Sequence, residues 1–206
     1  VVSRAAAPRR WVVGLTGASG AVYGVTLCRE LLAAGCEVHL VVSEAGWRVL
    51  KEELGWDAAK RSDTIRRELE AESGRLVYHP QSDIGASIAS GSFRCEGMAV
   101  VPCSMGTLAA IAHGTSDNLI ARAADVTMKE GRPLLLVPRE TPLNAIHLEN
   151  MLKLARIGVR IIPAMPAFYQ GPQTLEDAVR FMVGKVMDNM GIAHNLYTRW
   201  GESYED

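Results

Sequence analysis

The sequence predicts an α/β domain of three layers, a mostly parallel sheet with helices on both faces. Three observations carry that prediction. Short, largely apolar runs recur at Trp11 to Thr16, Val38 to Val42, Gly97 to Pro102 and Leu134 to Pro138, the pattern of strands buried on both faces. Longer stretches with apolar residues at helical spacing separate them. The residues that follow each run are small, hydroxyl-bearing or charged, a poor composition for packing and a good one for a polar ligand. With 206 residues, 48% hydrophobic and 22% charged, the chain has ordinary globular usage and enough length for one core. No linker, repeat or low-complexity tract divides it. Residues 1–10 are expected to be a loose N-terminal extension and residues 11–206 a single domain.

Each element has its own local reason. The first strand, Trp11 to Thr16, ends in glycines. After Gly20, the residues Val22, Val25, Leu27, Leu31 and Leu32 fall roughly on one helical face, with Gly35 as C-cap. Val38 to Val42 is the second strand, and a helix follows from Glu44 to Leu54. Trp56 to Gly74 is charged and helix-permissive without an evident role. A weak strand, Arg75 to Tyr78, precedes a loop rich in small residues, Ser82 to Ser92, holding a short helix. Gly97 to Pro102 is a strong buried strand that runs into Cys103-Ser104-Met105-Gly106-Thr107 and a helix. Asn118 to Glu130 reads as another helix, Leu134 to Pro138 as a strand, and Leu148 to Ile157 as part of the helix after it. Val159 to Ile162 is the last strand. Thr174 is an N-cap with Asp177 three residues on, opening a final helix to about Met190.

Composition excludes several classes of partner. Lys and Arg number 22 against 23 Asp and Glu, a formal net charge of −1, so nothing marks a nucleic-acid footprint or an anionic membrane surface. The four cysteines, Cys28, Cys36, Cys95 and Cys103, show no C-x-x-C spacing and read as buried reduced thiols of a cytoplasmic protein. No apolar run approaches membrane-spanning length, and the start lacks the apolar core of a signal peptide. No cluster has metal-ligand spacing, so no metal site is expected.

Ligands of open parallel sheets bind at the carboxyl ends of the strands. That rule selects Gly17-Ala18-Ser19-Gly20, Ser43, Ser104 to Thr107, Arg139-Glu140-Thr141 and Pro163 to Tyr169. The first loop reads as a phosphate cradle, because small residues let backbone N–H groups approach an anion and a helix presents its positive end. It lacks the G-x-G-x-x-G dinucleotide fingerprint and the lysine of a P-loop. Arg139 and Glu140 would be a surface ion pair elsewhere; the carboxyl end of a strand favours a ligand. Arg122 and Lys129, seven residues apart, share a helix face that is either a solvated basic stripe or a binding surface. His113 and His147 read as capping or core histidines, Cys103 as a small core residue, and Tyr169 as ligand-facing or packed on the sheet edge.

Several blocks then occur together and in order. They are Gly17-Ala18-Ser19-Gly20-Ala21, Pro102-Cys103-Ser104-x-Gly106-Thr107, Arg122-Ala123-Ala124-Asp125-Val126, Lys129-Glu130, Val137-Pro138-Arg139-Glu140-Thr141-Pro142-Leu143, Pro166-Ala167-Phe168-Tyr169 and Arg199-Trp200. From about Trp11 to Trp200 the chain strongly resembles the UbiX-type flavin prenyltransferases. The resemblance implies a Rossmann-like or flavodoxin-like fold that binds FMN and dimethylallyl phosphate. It implies transfer of the dimethylallyl group to N5 of reduced FMN, closure of a ring onto C6, and delivery of prenylated FMN to a UbiD-type decarboxylase, in ubiquinone biosynthesis or aromatic-acid metabolism. The family is metal-independent and forms large homo-oligomers with sites at subunit interfaces, a dodecamer being the candidate assembly.

Carried over by position, Gly17, Ala18, Ser19, Ser43, Ser104, Met105, Gly106, Thr107 and Arg139 resemble the FMN contacts. Arg122, Lys129, Glu140, Tyr169 and Lys185 resemble the set around the prenyl phosphate. Trp200 resembles the aromatic residue lining the prenyl site, and Glu53 another acidic member of it. Ser19, Glu53, Lys129, Glu140 and Trp200 are the implied catalytic set. An allylic C–O bond that breaks leaves a carbocation and a phosphate, so cations and hydrogen-bond donors suit the leaving group and an aromatic face suits the cation. Glu140 suits the proton transfer of ring closure, relayed through Ser19 or the released phosphate. Lys185 stands where an arginine is common, Glu44 where a lysine is frequent and Gly131 where an arginine is frequent. Two other readings are an FMN-dependent decarboxylase of the cysteine-decarboxylase type and a non-catalytic FMN carrier. The first is disfavoured because Ser82 to Ser92 holds no histidine. The second does not require Lys129, Glu140 and Tyr169 together, yet all three are present.

Overall fold

The computed structural model describes residues 8–69 and 75–199. In chain order the elements are β1 (Arg10–Leu15), α1 (Ala21–Ala33), β2 (Glu37–Val42), α2 (Glu44–Leu54), α3 (Arg61–Glu68), β3 (Leu76–Pro80), β4 (Gly97–Cys103), α4 (Met105–His113), α5 (Leu119–Lys129), β5 (Leu134–Pro138), α6 (Ala145–Arg156), β6 (Arg160–Ile161) and α7 (Leu175–Met190). The six strands form one sheet in the order β3-β2-β1-β4-β5-β6, and every pairing is parallel. That is the Rossmann order.

Side chains alternate across the sheet, as the period of two in a strand dictates. Trp11, Val13 and Leu15 of β1, with Ala99 and Val101 of β4, meet Leu27, Leu31, Trp47 and Val183 from α1, α2 and α7. Val12, Met98, Val100 and Leu136 point the other way and meet Leu108, Ile120, Ala124 and Leu154 from α4, α5 and α6. Both faces are therefore sealed by helices, which is why the strands read as continuous apolar runs. Helix α1 crosses β4 at very short range: a Cβ on Gly24 would lie 2.2 Å from the Val101 carbonyl oxygen.

Helices with a side-chain cap stand where the sequence puts them. Ser43 accepts from Gly46 N and opens α2, and Thr174 forms a capping box with Asp177 at the head of α7. The charged stretch from Trp56 resolves into a turn of 3-10 helix, Ala58–Lys60, and then α3. Its sparse apolar residues, Trp56, Ile65 and Leu69, are all buried against α2 and the sheet, so the surface charge conceals an anchored helix. The last strand contracts to Arg160–Ile161 because Val159 N still bonds to Leu154 O at the end of α6. All four cysteines are free; Cys28, Cys36 and Cys103 are buried and Cys95 is only half-buried, which corrects the expectation for that thiol. Among the described residues no helix is long and apolar enough to cross a membrane.

Candidate functional site

In this strand order the chain turns in opposite directions from β1 and β4, and the crevice above their carboxyl ends is the switch point. Thr16 sets its width. The Thr16 hydroxyl donates to Pro102 O at 2.8 Å and accepts from Ser104 N at 2.8 Å, joining the loop after β1 to the loop after β4. Ser43 N donates to Leu15 O at 2.9 Å, and Arg139 N donates to Cys103 O at 3.4 Å, so the ends of β2 and β5 close on the same crevice. Gly17 packs on the first turn of α2: a Cβ there would lie 2.4 Å from Ala45 Cβ. No larger residue fits this approach.

Three helices point their N-termini at the crevice, and they differ in what meets their first N–H groups. At α1, Gly20 caps in the left-handed region with φ 103° and offers no side chain. Its place is taken by Glu53 of α2, whose carboxylate accepts from Gly20 N at 3.0 and 3.1 Å and from Ala21 N at 2.9 Å. The helix dipole draws in a carboxylate that can reach, and here the protein supplies one of its own to Gly20 and Ala21, while no described residue accepts from the N–H groups of Gly17, Ala18 or Ser19. At α2, Glu44 N donates to Gln81 Oε1 and Gly46 N to Ser43 Oγ. At α4, Ser104 Oγ accepts from Thr107 N at 3.3 Å, but no described residue accepts from the N–H of Met105 or Gly106. A Cβ on Gly106 would meet nothing within 4 Å. An open, positively polarised seat therefore lies on the β4 side.

Arg139 and Glu140 are exposed just beyond β5. Burial raises the Tyr23 phenol, and the Arg139 charge partly offsets that, so Arg139 faces α1 across the crevice. A Cβ on Gly20 would lie 2.8 Å from the Tyr23 ring, which makes Gly20 and Tyr23 one wall, with Arg139 opposite. Glu140 Oε1 accepts from Thr141 N at 3.0 Å. Beside it a cavity of about 360 Å³ is lined by Arg139, Glu140, Met151, Pro163 and Met165 among others. Tyr169 is exposed, its ring edge-on to Phe181 at 6.2 Å, and Lys185 stands one helical turn after Phe181 on α7.

The comparisons with known proteins agree with one another. The Flavoprotein family model matches residues 2–187. The flavin prenyltransferase UbiX of Halalkalibacterium halodurans is 53% identical over 196 residues, 95% of each chain. AnUbiX (PadA1), solved in complex with FMN and dimethylallyl pyrophosphate, matches with TM-score 0.87 and 41% identity over 96% of this chain and 100% of that one. The dodecameric FMN-dependent Ubix-like decarboxylase from Escherichia coli O157:H7 matches with TM-score 0.82 and 46% identity, over 90% and 96%. The chain belongs to the UbiX flavin prenyltransferase family.

Against the set that the family resemblance grouped around a prenyl phosphate, one chain is incomplete. Arg122 pairs with Asp125 on α5 at 3.3 Å. Lys129, at the far end of that helix, pairs with Glu130 and lies beside Gly91. The 11 residues of α5 span about 16 Å at 1.5 Å per residue. The helix starts near Gln81, at the carboxyl edge, and ends where β5 begins. Lys129 is thus at the opposite edge of the sheet from Arg139 and Glu140, and the expected grouping fails within a single chain. Trp200 lies outside the described residues. His147 caps α6 with Asn144, and His113 bonds to Asn150 at 2.9 Å, both as expected. Burial pushes the Cys103 thiol far up, consistent with a packed core residue. Thr16 as the brace, Tyr23 as a wall and Gln81 as the α2 cap went unassigned in the sequence because each acts through a partner remote in the chain.

Proposed function

We propose that this family member is itself a flavin prenyltransferase. It takes dimethylallyl phosphate, joins the dimethylallyl group to N5 and then C6 of reduced FMN, and hands the product to a UbiD-type decarboxylase. The observation that carries this reading is the open N-terminus of α4 facing the exposed Arg139-Glu140 pair across the switch point. It supports an anionic, planar ligand whose phosphate rests on Met105 and Gly106 N–H, held by Ser104 and Thr107, with Gly17, Ala18, Ser19 and Ser43 along its length and Arg139 near its ring.

Reduced FMN supplies nucleophilic N5 and C6 atoms when bound. The protein's part is charge placement. Departure of the phosphate concentrates negative charge on its oxygens, and Lys185 with the Tyr169 hydroxyl stabilises it. Lysine gives a point charge rather than the two-pronged contact of an arginine. Arg122 and Lys129 complete the set from a neighbouring copy. The dodecameric relative supports that arrangement, as do the exposed apolar residues Ile146, Leu148, Leu152, Met165 and Phe168, a surface suited to a second copy. Ring closure needs one proton on the prenyl alkene and releases one from C6; Glu140 would give the first and take the second, with Ser19 as relay. Glu53 fixes the Ser19-Gly20 turn by holding Gly20 and Ala21. The family resemblance assigns the stabilisation of the prenyl cation to Trp200, which lies outside the described residues.

The test is anaerobic incubation with FMN, a reductant and dimethylallyl phosphate, followed by flavin mass analysis. The proposal requires addition of C5H8; an unchanged flavin with both the monophosphate and the diphosphate donor would sink it. A Glu140→Gln variant is expected to bind FMN normally and stall at or before ring closure.

A further inference from the structure

Helix α7 carries a glycine, Gly184, in its interior, where glycine is among the poorest helix formers. Its surroundings explain it. A Cβ there would lie 2.6 Å from the Tyr197 ring and 2.8 Å from the His194 ring, so Gly184 is a notch that receives the segment following α7. One turn on, Asp188 secures that segment. Its carboxylate accepts from the Tyr197 hydroxyl, from Arg199 at 2.7 Å and from His194 Nε2 at 3.1 Å. Burial alone would raise the Asp188 carboxyl, yet hydrogen bonds from Arg199 and Tyr197, the Arg199 charge and the bond from His194 bring it down to about 2. Burial and then the Asp188 bond push the Tyr197 phenol up to about 12.

The docked segment reaches the proposed substrate end of the crevice by two routes. Tyr197 packs on Phe181 with ring centroids 5.1 Å apart, and Phe181 carries the Tyr169 ring. The side-chain amide of Gln170, the residue after Tyr169, donates to Thr198 O. A cavity of about 250 Å³ remains between the two stretches, bounded by Ala167, Gly171, Leu196 and Thr198 among others. With space behind it, the loop bearing Tyr169 is held in part by these links.

We infer that Asp188 is a positioning residue: by clamping residues 194–199 onto α7 it fixes the loop that carries Tyr169, and so sets affinity for the phosphate of the prenyl donor. The inference rests on the proposed function for its kinetic consequence and on geometry alone for its structural one. Two variants attack the same docking from different sides, Asp188→Asn removing the charged acceptor and Gly184→Ala filling the notch. Hydrogen exchange of peptides covering residues 167–172 is expected to speed up at least tenfold in both. The KM for dimethylallyl phosphate should rise at least tenfold and kcat should fall with it, because Tyr169 stabilises the departing phosphate, while the FMN Kd stays within twofold of wild type. Tyr197→Phe, which keeps the ring in the notch, should show the same pattern at smaller amplitude. Unchanged exchange at 167–172, or an FMN Kd that worsens by the same factor as KM, overturns the inference. A wild-type protein that makes no prenylated flavin overturns the proposed function instead, and the exchange comparison still decides the clamp.

Discussion

The loops after β1 and β4 face each other across the switch point, and both end at a helix N-terminus. They differ in what meets the end of each helix. The β1 loop has its helix end filled by the Glu53 carboxylate, whereas the β4 loop caps only Thr107 N and leaves two N–H groups open. The β1 loop has two glycines because Gly20 needs a left-handed φ and Gly17 must touch Ala45; these are demands of packing. What makes a phosphate seat is unsatisfied donors with room in front of them.

The sharpest way to break the comparison is to make the β4 loop resemble the β1 loop. Gly106→Asp puts a carboxylate at the open seat, where a new Cβ meets nothing within 4 Å. FMN affinity, followed by flavin fluorescence, should fall at least a hundredfold while riboflavin, which lacks the phosphate, binds as before. Thermal stability should hold, because an acidic residue in a first helical turn is favourable. Retained FMN binding would place the phosphate elsewhere.

The reverse asymmetry predicts a different failure for Gly17→Ala. Its Cβ would lie 2.4 Å from that of Ala45, so the loop or α2 must move, and overpacking of this kind costs about 1–3 kcal/mol. Stability by denaturant titration and affinity for both flavins should drop together. A loss confined to FMN would mean that Gly17 touches the phosphate after all.

The same contrast marks what is legible in a sequence. Elements set by local signals are predictable. Ser43 and the apolar spacing behind it define α2 as Glu44–Leu54, and Thr174 with Asp177 defines the head of α7. The loops at the carboxyl edge follow from strand order alone, so Arg139, Glu140 and Ser104 to Thr107 fall where expected. Pairings between distant elements are not predictable in this way. Glu53 reaches α1 from the end of α2, 32 residues along from Ala21. Lys129 is aligned with Arg122 by periodicity, but helix length carries it to the other edge. Gly184 looks like a defect until Tyr197 and His194 are seen against it.

Ser104→Ala tests the shared support of the β4 seat. It removes the acceptor for Thr107 N and the link between the Ser104 and Thr107 hydroxyls. Loss of a serine N-cap costs about 1 kcal/mol of helix stability. FMN binding should weaken about tenfold. If Tm falls with no change in FMN affinity, Ser104 serves the helix and not the ligand.

The smallest effect is expected at Glu53→Gln, which separates charge from hydrogen bonding at the β1 loop. Glutamine can still accept from Gly20 and Ala21 through one oxygen, so the turn should persist and FMN binding should change less than threefold. What is lost is the attraction between a full negative charge and the α1 dipole, worth about 0.3–1 kcal/mol at an exposed site and screened by salt. The stability difference between the variant and wild type should therefore shrink as salt is raised. Glu53→Ala goes further by vacating the N-terminus and leaving Gly20 and Ala21 N–H without an acceptor. If the β1 loop is closed to phosphate only because Glu53 fills it, inorganic phosphate should stabilise the Ala variant more than wild type in thermal melts. Equal stabilisation would mean that the β1 loop is unsuited to phosphate for a reason other than occupancy, such as the tight approach of Gly17 to α2.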